Sequence, residues 1–197
     1  NNLVGSPSSS GIVRELENYL REHESLHGYS DTMRHVFGSE GNDVLASHVS
    51  GVTLTGGGGH DSYFTIPSAV IMESPDGGHD RITLRASKYA LAPNVEDVEV
   101  VGFSQEISGN ELDNRIVATA FVVKGLEGND SIVSYRLGAN VHGGIGNDHI
   151  MIRGRQTIAY AEAGNDTLIG SQYSDILGGG EGSDVIYGAL DADTIYG

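Results

Sequence analysis

The sequence predicts an all-β fold, a parallel β-roll: a right-handed solenoid of nonapeptide repeats with an N-terminal capping α-helix. Three observations carry this. Residues Gly170 to Gly197 read GSQYSDILG-GGEGSDVIY-GALDADTIY-G, nine-residue units laid end to end and each opened by glycine. Asp175, Asp184 and Asp193 hold the sixth place, and Leu177, Ile186 and Ile195 the eighth. The unit before them, Ala161 to Ile169, has Asp166 and Leu168 in the same places. A short unit of this kind can bury its apolar residue only against neighbouring units, so the period decides the fold.

The pattern follows G-G-x-G-x-D-x-U-x, as in GGGEGSD (Gly178 to Asp184), GGIGNDHI (Gly143 to Ile150) and GGGGHDSY (Gly56 to Tyr63). It resembles the RTX family, the hemolysin-type calcium-binding repeats, over roughly residues 38 to 197. Glycine at the first, second and fourth places lets a six-residue turn take φ values that side chains disfavour. Such turns aim carbonyls inward, and the aspartate completes an all-oxygen cage suited to calcium. The last three residues form a short strand whose middle residue points inward. Two units make one coil of about eighteen residues. The resemblance implies calcium between turns of successive coils on one edge.

Residues 1–11, rich in serine, read as a linker. Residues 12–36 read as the helical cap: Ile12, Leu16, Leu20, His23 and His27 form one stripe, and Gly28 is a stop signal. Laid over the first coil, such a helix would cover an open strand edge. The roll is expected over 37–197, with 93–122 as its irregular segment.

Inward residues are expected at Leu45, Leu54, Tyr63 and Met72 and then, after one inserted residue, at Ile82, Leu91 and Val100. Val100 to Ile116 reads as a continuous coil, with Asn114 in the aspartate place. From Val123 the ladder continues unbroken through Ile132, Val141, Ile150, Ala159, Leu168, Leu177, Ile186 and Ile195.

Candidate calcium turns contain Gly38, Gly41 and Asp43; Gly56, Gly59 and Asp61; Gly78 and Asp80; Gly125, Gly128 and Asp130; and Gly143, Gly146 and Asp148. Further along come Gly164 and Asp166, Gly170 and Asp175, Gly179, Gly182 and Asp184, and Asp193. The expected pairs are Asp43/Asp61, Asp61/Asp80, Asp130/Asp148, Asp148/Asp166, Asp166/Asp184 and Asp175/Asp193. That pairing predicts about five to seven calcium ions if each ion needs two flanking turns.

The formal charge of −16 reflects 27 acidic against 11 basic side chains. With the aspartates in register rather than in blocks, this reads as a folded chain whose carboxylates await cations. So few basic residues argue against nucleic acid as a partner. No apolar run is long enough for a transmembrane helix. There is no cysteine, which excludes disulfides and thiolate chemistry. The resemblance implies a secreted or cell-surface module exported unfolded by a type I secretion apparatus. It also leaves open a module that binds polysaccharide or a cell surface.

His23-Glu24-Ser25-Leu26-His27 spells H-E-x-x-H, a zinc-protease motif when it sits on a helix. Serralysin-like metalloproteases combine that motif with RTX repeats. Here Ser30 and Met33 stand where the extended motif needs glycine and a third histidine. The chain is therefore read as having no catalytic residues. His60, His79 and His149 read as solvated loop histidines. Of eight basic residues after Phe37, five fall in turns without the calcium pattern: Arg85, Lys88, Arg136, Arg153 and Arg155. They suggest a discontinuous basic edge, with Arg153 and Arg155 as donors to an anionic polysaccharide.

Overall fold

The computed structural model describes residues 35–197. The linker, the H-E-x-x-H motif and the expected helix lie outside the described residues, except that His35 and Val36 are already strand. Among the described residues there are seventeen strands and no helix. In chain order they are β1 (His35–Phe37), β2 (Val44–Ala46), β3 (Thr53–Thr55), β4 (Ser62–Thr65), β5 (Val70–Met72), β6 (Arg81–Leu84), β7 (Lys88–Ala90) and β8 (Asp97–Ser108). There follow β9 (Arg115–Glu127), β10 (Ser131–Ser134), β11 (Asn140–Ile145), β12 (His149–Ile152), β13 (Ile158–Ala163), β14 (Thr167–Ile169), β15 (Ile176–Glu181), β16 (Val185–Tyr187) and β17 (Thr194–Tyr196).

Every pairing is parallel, and each strand pairs with the strand one coil away. One wall runs β2-β4-β6-β8-β9-β10-β12-β14-β16, which is nine strands deep. The opposite wall runs β1-β3-β5, breaks, and resumes through β7, β8, β9, β11, β13, β15 and β17. The long strands β8 and β9 belong to both walls, because each continues across the edge where other coils turn. A bulge between Glu99 and Phe103 absorbs the bend.

Each wall contributes a column of buried residues to the core. In the first, Leu45, Tyr63, Ile82, Val98, Ile116, Ile132, Ile150 and Leu168 align as Cα partners and are all buried. In the second, Ile107, Val123, Val141, Ala159 and Leu177 do the same. Each buried Leu or Ile contributes about 1.5–3 kcal/mol relative to exposure. The core is a thin column, so no coil can bury its own share alone.

The irregular segment stays in the roll, with a corrected register. Val98, not Val100, pairs with Ile116, while Val100 pairs with Leu84. Met72 is exposed, and Ile71 takes the inward place opposite Leu54. The step from Tyr63 to Ile71 is short by one residue, and Glu73 and Ser74 are then extra, so one deletion and two insertions mimic a single insertion. Lys88 lies on strand β7 rather than in a turn. Ile195 is half-exposed and Ile186 only partly buried, because the last coil has a neighbour on one side only.

Coil-to-coil approach is tightest at the turns. Gly146 has φ +139°, and a Cβ there would overlap the carbonyl oxygen of Gly128 in the previous coil. Gly138, with φ +65°, has open space around it. Gly146→Ala is expected to lower the melting temperature of the calcium-loaded protein well beyond Gly138→Ala, which carries only the left-handed strain of about 1–2 kcal/mol. Thermal unfolding of both variants checks this, and equal losses would contradict so close an approach.

Candidate metal centre

Along one edge, each acidic side chain reaches back to the coil before it. Asp43 N donates to Asp61 Oδ1 at 2.7 Å, and Asp61 N to Asp80 Oδ1 at 2.8 Å. Asp130 N donates to Asp148 Oδ1 at 2.8 Å, Asp148 N to Asp166 Oδ1 at 2.7 Å, and Asp166 N to Asp184 Oδ1 at 3.0 Å. On the other edge Asp175 N donates to Asp193 Oδ1 at 2.9 Å. All six pairs expected from spacing are thus neighbours in the roll.

The turns themselves are of two kinds. In the first, the second- and fourth-place residues both have positive φ: Gly57 and Gly59, Leu126 and Gly128, Gly144 and Gly146, Glu162 and Gly164, Gly180 and Gly182, Ala189 and Asp191. The second-place carbonyl oxygens of Leu126 and Glu162 face Gly144 and Gly180 one coil on. Those of Gly128, Gly146 and Gly164, at the fourth place, face Gly146, Gly164 and Gly182. Oδ2 of Asp130, Asp148 and Asp184 sits against the first-place glycine, Gly125, Gly143 and Gly179, where a Cβ would overlap it.

In the second kind, a Ser or Asn at the second place closes the turn without help. Ser39 donates from N and Oγ to Asp43 Oδ2, at 2.6 and 2.8 Å. Ser171 does the same for Asp175 Oδ2, at 2.8 and 2.7 Å. Asn110 N donates to Asn114 Oδ1 at 2.7 Å, and Asn114 Nδ2 returns a bond to Asn110 Oδ1 at 2.8 Å. Gly41 and Gly170 belong to these self-closed turns, and neither has positive φ. Such local side-chain caps replace a ligand with an internal donor.

The first kind has no such donor. Oδ2 of Asp61, Asp130, Asp148 and Asp166, and of Asp80 in a turn of neither kind, is buried without a hydrogen-bond partner. A buried anionic oxygen left so costs several kcal/mol, roughly, unless a cation meets it. Burial pushes Asp148 up to about 7 and Asp130 up to about 6. Asp166 and Asp80 are raised for the same first reason. The donor set is carboxylate and carbonyl oxygen alone, and the stacked acids need positive charge. Both facts fit calcium, a hard cation bound by six to eight oxygens as a rule of thumb of about that number.

Some contributors carried no repeat signature. Glu96 fills the aspartate place between Asp80 and Asn114, accepting from Asp80 N at 2.7 Å. The 34-residue gap from Asp80 to Asn114 divides into 16 and 18 at Glu96, a division the spacing permitted but the residue type concealed. The fifth place holds a ladder: Asn129, Asn147 and Asn165 each accept, through Oδ1, from the backbone N one coil on, at 2.7, 2.8 and 2.9 Å. Their recurrence in G-N-D was the available signal. His60 and His79 join this edge, His79 N donating to His60 Nδ1 at 2.9 Å, and both are exposed, as is His149.

The opposite edge differs. Arg136 lies over the Phe121 ring at 3.9 Å and over Phe103 at 5.0 Å, and Arg155 over Tyr173 at 4.3 Å. Arg153 is exposed, and Lys88 is paired with Glu106 at 3.2 Å.

A parallel roll with acid-lined, glycine-hinged turns every second unit defines a nonapeptide-repeat solenoid of the metal-binding class. The family model for the RTX calcium-binding nonapeptide repeat matches residues 37–65 and 160–197, in four copies. The chain carries RTX repeats in both stretches, and RTX repeats bind calcium. The unmatched middle has the same wall register and the same orphaned Asp130 and Asp148 oxygens. No curated protein and no solved structure matches the chain significantly.

Raised aspartate pKa values mean that the ion-free fold binds more protons than the unfolded chain. Their contribution is therefore favourable below the ordinary aspartate value of 3.8 and is lost as pH rises through about 6 to about 7. With calcium bound, protons compete with the ion and the sign reverses. Thermal melts in chelator are expected to rise on acidification from neutral pH to about 4.5, while melts in excess calcium fall. The same slope in both conditions would contradict these carboxylates as the linked groups.

Proposed function

We propose that this chain is a calcium-dependent structural module of a secreted protein. The observation that carries the reading is the run of buried aspartate Oδ2 atoms without a protein partner. At low calcium the stacked charges oppose the roll, and the chain stays open enough to pass a type I secretion apparatus. Outside the cell, calcium closes the turns, so that binding free energy becomes folding free energy. The ligand turns are those without a local donor, at Asp61, Asp80, Asp130, Asp148, Asp166, Asp184 and Asp193, with the self-closed turns of Asp43 and Asp175 one coil from the first and last of them. Of the expected pairs, Asp61/Asp80, Asp130/Asp148, Asp148/Asp166 and Asp166/Asp184 join two such turns, so the expected number of about five to seven ions falls to about four if each ion sits between two of them. The domain reading becomes a linker over 1–11, a cap ending before His35 and a roll that already includes His35 and Val36 through the pairing of β1 with β3. The carboxylates of the roll serve structure, and no catalytic role is assigned to them.

Circular dichroism in chelator and in millimolar calcium tests this. The β signal is expected only with calcium, and Asp148→Ala should raise the calcium midpoint more than Asp43→Ala. Asp148 joins two neighbours by hydrogen bonds, whereas Asp43 has Ser39 as a local donor. An unchanged β spectrum in chelator would sink the folding role.

A second reading, a site for an anionic polysaccharide or cell surface, is favoured by the arginine–aromatic stacks on the other edge. Arginine held over a ring can still turn N–H groups toward carboxylate or sulfate. Arg153→Ala with Arg155→Ala is expected to keep calcium-dependent folding and to lose retention on an acidic glycan resin at low salt. Equal retention of wild type and double variant would remove this reading.

A further inference from the structure

The turn before Asp80 departs from the calcium pattern in a way of its own. Glu73 and Ser74 are extra to the repeat, and Pro75 and Asp76 replace the opening glycines. The chain makes a tight Ser74–Gly77 turn instead, closed by Gly77 N to Ser74 O at 2.9 Å. Asp76 does not take the positive φ of the regular second place, although Gly78 at the fourth place does. Half of the regular turn's backbone geometry is therefore missing here.

A side chain occupies the gap. Carboxylate oxygens of Asp61, Glu73 and Asp80 all lie within 4.8 Å of one another. Glu73 Oε1 and Asp61 Oδ2 both crowd the face of Gly56, and Glu73 Oε2 and the Gly57 carbonyl both face Gly77. Asp61 and Asp80 are 1% and 0% exposed, and their Oδ2 atoms have no partner. Glu73 Oε2 is likewise buried and unpartnered. Backbone N–H groups of Asp43 and Asp61 hold the Oδ1 atoms of Asp61 and Asp80, and the Tyr63 hydroxyl donates to Glu73. Asn94 Nδ2 holds the Glu73 carbonyl at 2.9 Å and so fixes the backbone from which the carboxylate reaches. The adjacent cation, Arg81, turns away to Glu99.

Three carboxylates facing one point, with no basic side chain among them, call for a hard cation. We propose that Asp61, Glu73 and Asp80 form a three-carboxylate cation site. In it Glu73 is a side-chain ligand replacing backbone that the Ser74–Gly77 turn withdraws. This rests on the calcium reading above and departs from the repeat, which uses one carboxylate per turn. Higher ligand charge tightens a calcium site, so this site fills first as free calcium rises. Its excess negative charge also suits a trivalent lanthanide. Tyr63, bonded to a ligand, is the tyrosine placed to pass excitation energy to that ion.

Terbium luminescence excited through tyrosine provides the test, using the full chain with less than one equivalent of Tb3+. Wild type is expected to give strong emission at the first addition, and Tyr63→Phe to lose most of it while still binding. Glu73→Gln should weaken this first site by about tenfold or more and add about one coordinated water, read from lifetimes in H2O and D2O. A merely structural role for Glu73 would not change the water count. Circular dichroism run alongside separates the two levels of the argument. If the variants and wild type all fold with calcium but share one terbium affinity and water count, the Glu73 site is wrong and the calcium reading stands. If wild type shows no calcium-dependent folding and no calcium binding, the underlying reading fails as well.

Discussion

The structure depends on a single repeated hydrogen bond, from the backbone N–H of one aspartate to the Oδ1 of the next. That bond fixes the carboxylate's rotamer, so its second oxygen cannot swing out to water. A bond that stabilises coil stacking thereby strands a negative charge inside the edge. Charge-assisted hydrogen bonds of this kind are among the stronger polar interactions in proteins. Yet half the carboxylate remains a buried acceptor without a donor. The narrow apolar column gives little reserve against that cost, since each coil buries about one large side chain per wall. Cation binding is therefore built into the fold at the level of the rotamer.

The self-closed turns show the alternative. Ser39, Asn110 and Ser171 supply the missing donors locally, and the backbone relaxes out of the left-handed region. The same edge thus contains turns that close themselves and turns that need an ion. Second-place identity separates them: a short hydrogen-bonding side chain at negative φ, against glycine or a strained Leu126, Glu162 or Ala189 at positive φ. Strain at those three non-glycine positions adds to the charge cost before an ion arrives.

Much of this was legible in the sequence. The period fixed the walls, and the aspartate register placed six neighbouring pairs correctly. Misreadings arose where length changes compensate. A deletion before Ile71 and two insertions after Met72 sum to the single insertion that periodicity detects, so only backbone pairing distinguishes Ile71 from Met72 as the inward residue. Glu96 was hidden because a longer acid does the aspartate's work in a shortened coil. Glu73 was hidden for a different reason: it belongs to no repeat position, and its reach into the edge is a property of three dimensions. The asparagine ladder recurred openly, yet its meaning depends on which backbone N–H lies one coil away.

The long strands β8 and β9 cross both walls, and between them Asn110 and Asn114 close the edge with neutral amides. This central piece has the fold's longest parallel pairing and asks for no counter-charge at Asn114. On either side lie acid-lined stacks, Asp43 to Asp80 and Asp130 to Asp184. Under the proposed calcium-dependent folding, the middle is a template from which ordered coils grow outward in both directions as ions arrive. Growth of that kind leaves a protection gradient in amide exchange, highest at β8 and β9 and falling toward each end. Coils on either side meet the same ready-made platform, so neither end of the roll has to order before the other.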